Sequence, residues 1–321
     1  MSFELILPFL RPIEPLLLDE SVSEIMGNPD ASWWSERDGI IRREDSVSFA
    51  AGKLRTGLEV IANQLGKRLD EDNPILHAQL PDGSRLAAVI PPVVRLTPAL
   101  IIRKFTSRLY TVDDLIARGT LTRPLADFLA EQIRGGKTLL ISGGTGTGKT
   151  TLLRILADFI SEQERLVVIE DTSELQIQKP NILAVECQTD TFKANITFDD
   201  LLKSALRWRP DRIILGEVRG IEARTLLDSL NTGHAGSLAT IHANSAEKAL
   251  HRFANLVMRN HAQTTFSDTE AEIGDAVDFV VHVDRQPGRR VVREVHAIRG
   301  YDRDAKRFLI EPVFEVKHAT A

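Results

Sequence analysis

Thr138-Leu139-Leu140-Ile141-Ser142-Gly143-Gly144-Thr145-Gly146-Thr147-Gly148-Lys149-Thr150-Thr151-Leu152-Leu153-Arg154-Ile155-Leu156 decides the fold. Its middle, Gly143 to Thr150, fits G-x-x-x-x-G-K-[ST], a phosphate-cradling loop that a buried strand enters and a helix leaves. Thr138 to Ile141 reads as that strand, and Thr151 to Leu156 as that helix. Gly143, Gly144, Gly146 and Gly148 let backbone N–H groups converge on phosphate oxygens without Cβ obstruction. Thr145 and Thr147 complete the loop. The helix turns its positive end toward the same anion. Lys149 is expected to reach the β- and γ-phosphates, Thr150 to offer a hydroxyl to Mg²⁺, and Thr151 to stand beside them.

Outward from this loop, from about Pro124, helical patterns alternate with the short apolar strands Thr138–Ile141, Arg165–Ile169, Ile182–Val185, Arg212–Leu215 and Ser237–Ile241. Such alternation predicts an α/β domain with a largely parallel sheet, helices on both faces, and ligand at the carboxyl ends of the strands. Val277–Val283, Val291–Ile298 and Arg307–Val316 read as an antiparallel tail. The first third reads as α+β. A helical pattern runs over Pro15 to Met26, a hairpin turns at Asp38-Gly39, and a helix spans Leu54 to Leu65. Strands follow at Ile75–Leu80, Arg85–Ile90 and Leu100–Phe105. The expected division is an α+β domain over 1–107, a linker over 108–123 and the P-loop domain over 124–321.

Composition narrows the class. At 321 residues two domains are expected, and a net charge of −5 argues against a protein that coats nucleic acid. The single cysteine, Cys187, excludes an intramolecular disulfide and a Cys-cluster metal site, and reads as a small apolar filler. No run reaches the roughly 18 apolar residues that span a bilayer. Leu5 to Leu10 is apolar but short, and reads as a helix packed on its own domain.

Hydrolysis needs a water placed in line with the γ-phosphate. Val167-Val168-Ile169-Glu170-Asp171 and Arg212-Ile213-Ile214-Leu215-Gly216-Glu217 each end a buried strand in a carboxylate. Glu217 and Glu170 are therefore candidates to polarise water or hold hydrated Mg²⁺. Asp171 and Glu174 read as caps of the following loop. His234 and His242 frame one strand, and His242, past its end, is placed to sense the γ-phosphate. Arg207, Arg209, Arg212, Arg219 and Arg224 crowd 18 residues, as surface ion pairs or as phosphate contacts from a neighbouring subunit.

Gly143 to Thr151, Ile169-Glu170-Asp171-Thr172-Ser173-Glu174-Leu175, Leu206 to Gly220 and Thr232 to Ser245, in this order, resemble the Walker A, Asp box, Walker B and His box of the type II/type IV secretion ATPase superfamily. The resemblance is strong from about residue 100 to 260, and is most similar to the short VirB11/TrbB-like branch of conjugal transfer and type IV secretion. It implies a RecA-like P-loop NTPase domain preceded by a smaller N-terminal domain, in a homohexameric ring that binds ATP and Mg²⁺. Such a ring works at the cytoplasmic face of the inner membrane with secretion or conjugation machinery. Carried over by position, Lys149 and Thr150 hold phosphate and metal, Glu217 is the catalytic carboxylate, Glu170 the Asp-box acid and His242 the sensor. Arg103, Arg207 and Arg209 match arginines near the phosphates. A tight-adherence pilus ATPase, a nucleic-acid translocase and an ATP-gated assembly scaffold remain alternatives; a nucleic-acid partner is possible but not predicted.

Overall fold

The computed structural model describes residues 3–37, 39–105, 110–188, 195–259, 264–286 and 289–316. Asp38 of the expected hairpin turn and residues 108–109 of the expected linker lie outside them. The chain divides into two compact units, Met1–Leu109 and Tyr110–Ala321.

The first unit opens with three short 3-10 turns and α1 (Glu14–Leu18), followed by β1 (Val22–Gly27), β2 (Trp33–Arg37) and β3 (Ile40–Arg43). Next come α2 (Lys53–Gln64), β4 (Ile75–Gln79), β5 (Arg85–Val89) and β6 (Ala99–Arg103). The strands form an antiparallel sheet in the order β3-β2-β1-β6-β5-β4. Leu54, Leu58, Ile61 and Ala62 of α2 pack with Val22, Ile25, Leu86, Ala88, Leu100 and Ile102 from alternating strand positions. The helical pattern read over Pro15–Met26 is only half helix. Its second half is β1, where one extra residue between Val22 and Glu24 breaks the register with β2. Ile6 and Leu10 from the opening turns are buried in the same core.

The second unit contains α3 (Val112–Ala117), α4 (Arg123–Arg134), β7 (Leu139–Gly143), α5 (Lys149–Ala157), β8 (Leu166–Glu170), β9 (Ile182–Glu186) and α6 (Phe198–Ala205). It continues with β10 (Arg212–Val218), α7 (Glu222–Asn231), β11 (Leu238–His242), α8 (Ala246–Met258) and α9 (Phe266–Ala276). It ends in β12 (Phe279–Gln286), β13 (Arg289–Asp302) and β14 (Arg307–Glu315). Strand order is β14-β13-β12-β7-β11-β10-β8-β9. The run from β12 to β9 is parallel, and β13 and β14 add antiparallel partners. The expectation of an antiparallel tail therefore needs correcting at β12, which pairs in parallel with β7. The α/β reading of this unit stands as a mixed sheet.

Strand alternation divides the core into two layers. Leu140, Val167, Ile169, Ile213 and Leu215 face α6, α7, α8 and α9, whereas Leu139, Ile141, Leu166, Val168 and Ile214 face α3, α4 and α5. Burial on both faces explains why these strands read as continuous apolar runs. The stretch read as a linker over 108–123 contributes Leu115 and Leu121 to the second layer. A capping box between Thr111 and Asp114 starts α3 there. Cys187 packs against the first layer, and burial pushes its thiol up to about 11, as suits a filler.

Candidate nucleotide site

Because β7, β8, β10 and β11 are parallel, their carboxyl ends share one edge of the sheet. That edge holds the glycine-rich loop, Glu170, Glu217 and His242. The loop is tight by construction. A Cβ on Gly143 would lie 2.4 Å from the Val283 carbonyl oxygen and 2.6 Å from Thr147 Oγ1. Gly146 and Gly148 take φ of +70° and +90°, which a side chain would strain. Thr147 Oγ1 donates to the Gly144 carbonyl at 3.0 Å. Lys149, Thr150 and Thr151 open α5, whose first N–H groups face the loop. Lys149 Nζ donates to the Gly144 carbonyl at 2.8 Å and lies 3.5 Å from each ring nitrogen of His242. Arg290 of β13 donates through Nε to the Gly146 carbonyl at 3.0 Å, a contact that the sequence reading missed.

Glu217 sits in a β-bulge. Leu215 pairs with Ala239 and Val218 with Ile241, so β10 carries one residue more than β11 between those pairs. Thr240 Oγ1 donates to the Gly216 carbonyl at 2.6 Å and ties the bulge to β11. Bulges re-aim side chains, and here Glu217 reaches the strand-end edge. Arg219 Nη2 lies 2.8 Å from Glu217 Oε2, and His242 Nε2 lies 3.2 Å from Oε1. Arg219 also pairs with Asp171 at 3.3 Å. Burial opposes charge on Glu217. The hydrogen bond from Arg219 and the charges of Arg219, His242 and Lys149 outweigh it and hold the carboxyl below its ordinary value. Burial, then the Lys149 charge, lowers His242, so its imidazole is neutral at pH 7.

Glu170, 5 % exposed, is the reverse case. Burial pushes its carboxyl up to about 7, although Oε1 accepts N–H bonds from Glu174 and Leu175, each at 2.9 Å. It folds the following loop back on the strand end. Glu174, read as a cap, is thus held through its own N–H, and Asp171 anchors Arg219.

Not every expected residue joins this edge. Arg207 and Arg209 are exposed in the turn between α6 and β10, before the amino end of β10. At about 3.3 Å per residue, the length of β10 alone separates them from Glu217 by roughly 17 Å. The expectation that they stand near the phosphates is corrected for their own chain, since a parallel strand puts its two ends at opposite edges. His234 is likewise at the amino end of β11, where its N–H donates to the Ser229 carbonyl and closes α7. Arg212 is a buried structural cation, bonded to the carbonyls of Ile133 (2.7 Å) and Gly236 (3.2 Å) and paired with Glu164. Arg103 ends β6 in the first unit, 3.9 Å from Glu24.

No helix of the described residues is long and apolar enough to cross a membrane. Residues 10–297 match the family described as type II/IV secretion system protein. A probable conjugal transfer protein TrbB of Sinorhizobium fredii is 38% identical over 282 residues, covering 86% of this chain and 83% of that one. The type IV secretion system protein PtlH of Bordetella pertussis is 32% identical over 314 residues, covering 89% and 92%. Among solved structures, the VirB11 ATPase of the Brucella suis type IV secretion system superposes with a TM-score of 0.51 at 27% identity, covering 91% and 94%. With the phosphate loop, the two strand-end carboxylates and the histidine on one sheet edge, these similarities place the chain in the type II/IV secretion ATPase family, on its VirB11/TrbB-like branch.

Proposed function

We propose that this chain is a RecA-like ATP hydrolase, that it acts as a homohexamer, and that a type IV secretion or conjugation machine in the inner membrane uses its motion from the cytoplasmic face. One observation carries the reading: Lys149, Glu217 and His242, from three adjacent elements, meet in one continuous chain of polar contacts.

ATP phosphates entering the loop draw Lys149 Nζ away from the Gly144 carbonyl onto the β- and γ-oxygens. Glu217, ionised at neutral pH, accepts a proton from a water aligned with the γ-phosphorus. The water oxygen bonds to phosphorus as the bond to the β–γ bridging oxygen breaks, and ADP and phosphate result. Neutral His242 donates its Nε2–H to Glu217 or to the γ-phosphate, and so reports which partner is present. The donors are all oxygens and suit a hard cation. Thr150 Oγ1, phosphate and water would hold Mg²⁺, with Glu170 behind them, and the ion would neutralise phosphate charge. Arg207 and Arg209, remote from their own loop, are assigned to the phosphates of a neighbouring protomer.

The test is steady-state Mg-ATP hydrolysis against protein concentration, with Glu217→Gln as control. Specific activity should rise with concentration, and the variant should bind ATP without turning it over. Normal turnover by Glu217→Gln would remove Glu217 from its role. No turnover by the unaltered chain at any concentration would favour an ATP-gated scaffold.

A further inference from the structure

We propose that Arg219, anchored by Asp171, is a positioning residue for Glu217 that fixes where its carboxylate stands at the mouth of the phosphate loop. The inference rests on the reading of Glu217 as the group that activates water.

Glu217 has reason to need such a partner. A bulge interrupts the ladder at Gly216–Glu217, so the strand itself constrains this residue less than its neighbours. The glutamate side chain has several rotatable bonds, and in-line attack tolerates little misplacement. The structure holds both carboxylate oxygens, Oε2 by Arg219 at 2.8 Å and Oε1 by His242 at 3.2 Å. Two contacts on two oxygens fix the plane of the group. The other guanidinium nitrogen, Nη1, reaches Asp171 at 3.3 Å, just past the end of β8. Arg219 therefore spans β10 and the β8 end like a brace, a task for a planar fork rather than a point charge.

The titratable groups facing Glu217 are the Arg219 and Lys149 cations, from its own strand's end and from α5, and the His242 imidazole from β11; Asp171 faces Arg219 from the β8 end. Arg219 is half exposed, and an ordinary surface ion pair would contribute little. Glu217, in contrast, is only 16% exposed, so its partner sets both its geometry and its charge.

The experiment compares unaltered protein, Arg219→Gln, Arg219→Lys, Asp171→Asn and Glu217→Gln. It reads kcat and KM for ATP from pH 5 to 9, with thermal melts to confirm folding. For Arg219→Gln we expect kcat to fall on the order of 10- to 100-fold with KM nearly unchanged. The acid limb of the kcat profile should move to higher pH, because the cation that favours ionised Glu217 is gone. Arg219→Lys should restore the acid limb but not the full kcat, since an ammonium cannot brace two carboxylates. Asp171→Asn should lower kcat less and leave the limb near its place. A lower kcat with an unmoved limb in Arg219→Gln would mean a merely structural role. A raised KM with unchanged kcat would mean a phosphate contact, and either overturns the proposal. If Arg219→Gln fails to fold, Arg219→Met, which removes the same cation and keeps the apolar stem, is read against the same outcomes. Normal hydrolysis by Glu217→Gln is a separate failure, that of the underlying reading of the site.

Discussion

The ammonium of Lys149 lies equally far, 3.5 Å, from Nδ1 and Nε2 of His242. An approach in the ring plane at that range would collide with Cε1, so the cation stands out of the ring plane. It depresses the imidazole there, after burial, and so competes with Glu217, which favours the imidazolium. Nucleotide that draws Lys149 away removes one of the depressing charges and brings an anion. The His242 pKa should rise on binding a non-hydrolysable ATP analogue, as followed by NMR titration of the imidazole. The same direction is expected for nucleotide-free Lys149→Met. An unmoved His242 in both would mean that the two residues are not coupled.

Glu170 links the site to stability. Its folded pKa of about 7 lies above the ordinary 4.5, so the stability it confers is fully present below the lower value. That stability is lost as pH rises to the higher one. The span is on the order of 3 kcal/mol. Glu170→Gln keeps an acceptor for the N–H groups of Glu174 and Leu175 but does not titrate. In urea unfolding, the unaltered protein should lose stability relative to Glu170→Gln between pH 5 and pH 8. A gap that stays constant across that range would show that Glu170 is not buried as described.

Arg212 should matter to folding and not to chemistry. Its side chain, 4% exposed, bonds two backbone carbonyls and Glu164 at the edge opposite the phosphate loop. Arg212→Met takes the Arg212 donor from the Gly236 carbonyl and the partner from Glu164, while the Ile133 carbonyl keeps the Gly136 N–H at 3.0 Å, at a cost of about 3 kcal/mol. Thermal melts should show the loss, while protein that remains folded keeps its ATP affinity. A large loss of affinity with an unchanged melting temperature would contradict this placement.

The proposed function assigns Arg207 and Arg209 to the phosphates of a neighbouring protomer, because they lie before the amino end of β10 and their own phosphate loop lies at the carboxyl-end edge. Arg209→Ala and Glu217→Gln should each be inactive alone. Mixed in equal amounts, they should regain hydrolysis at about a quarter of interfaces, where an intact arginine meets an intact glutamate. Rates that never exceed those of the separate variants would exclude Arg209 from acting in trans.

Much of this was legible in the sequence because both faces of the second unit's parallel strands are buried, leaving runs such as Leu139-Leu140-Ile141 and Leu166-Val167-Val168-Ile169 with glycine and carboxylates at their ends. Bulges and strand polarity hid the rest. In β1 the extra residue puts Val22 and Ile25 on one face three positions apart, a spacing that mimics a helix. The Arg219–Asp171 pair joins residues 48 positions apart through the neighbouring strand, and no local pattern announces it. Arg207 and Arg209 are close to Glu217 in number but belong to the other end of the same strand.

The bulge in β10 also acts like a reading frame. Side chains in a strand are assigned to faces by counting, odd to one side and even to the other. Leu215 and Val218 share a core layer though they are three apart, so the count has been shifted by one between them. With Gly216 deleted, the frame would close. The apolar run would reach the edge without its offset, and the carboxylate would come up one place out of turn. The position of the acid at the phosphate edge is thus encoded by a parity change that loss of the extra residue between Leu215 and Val218 would erase.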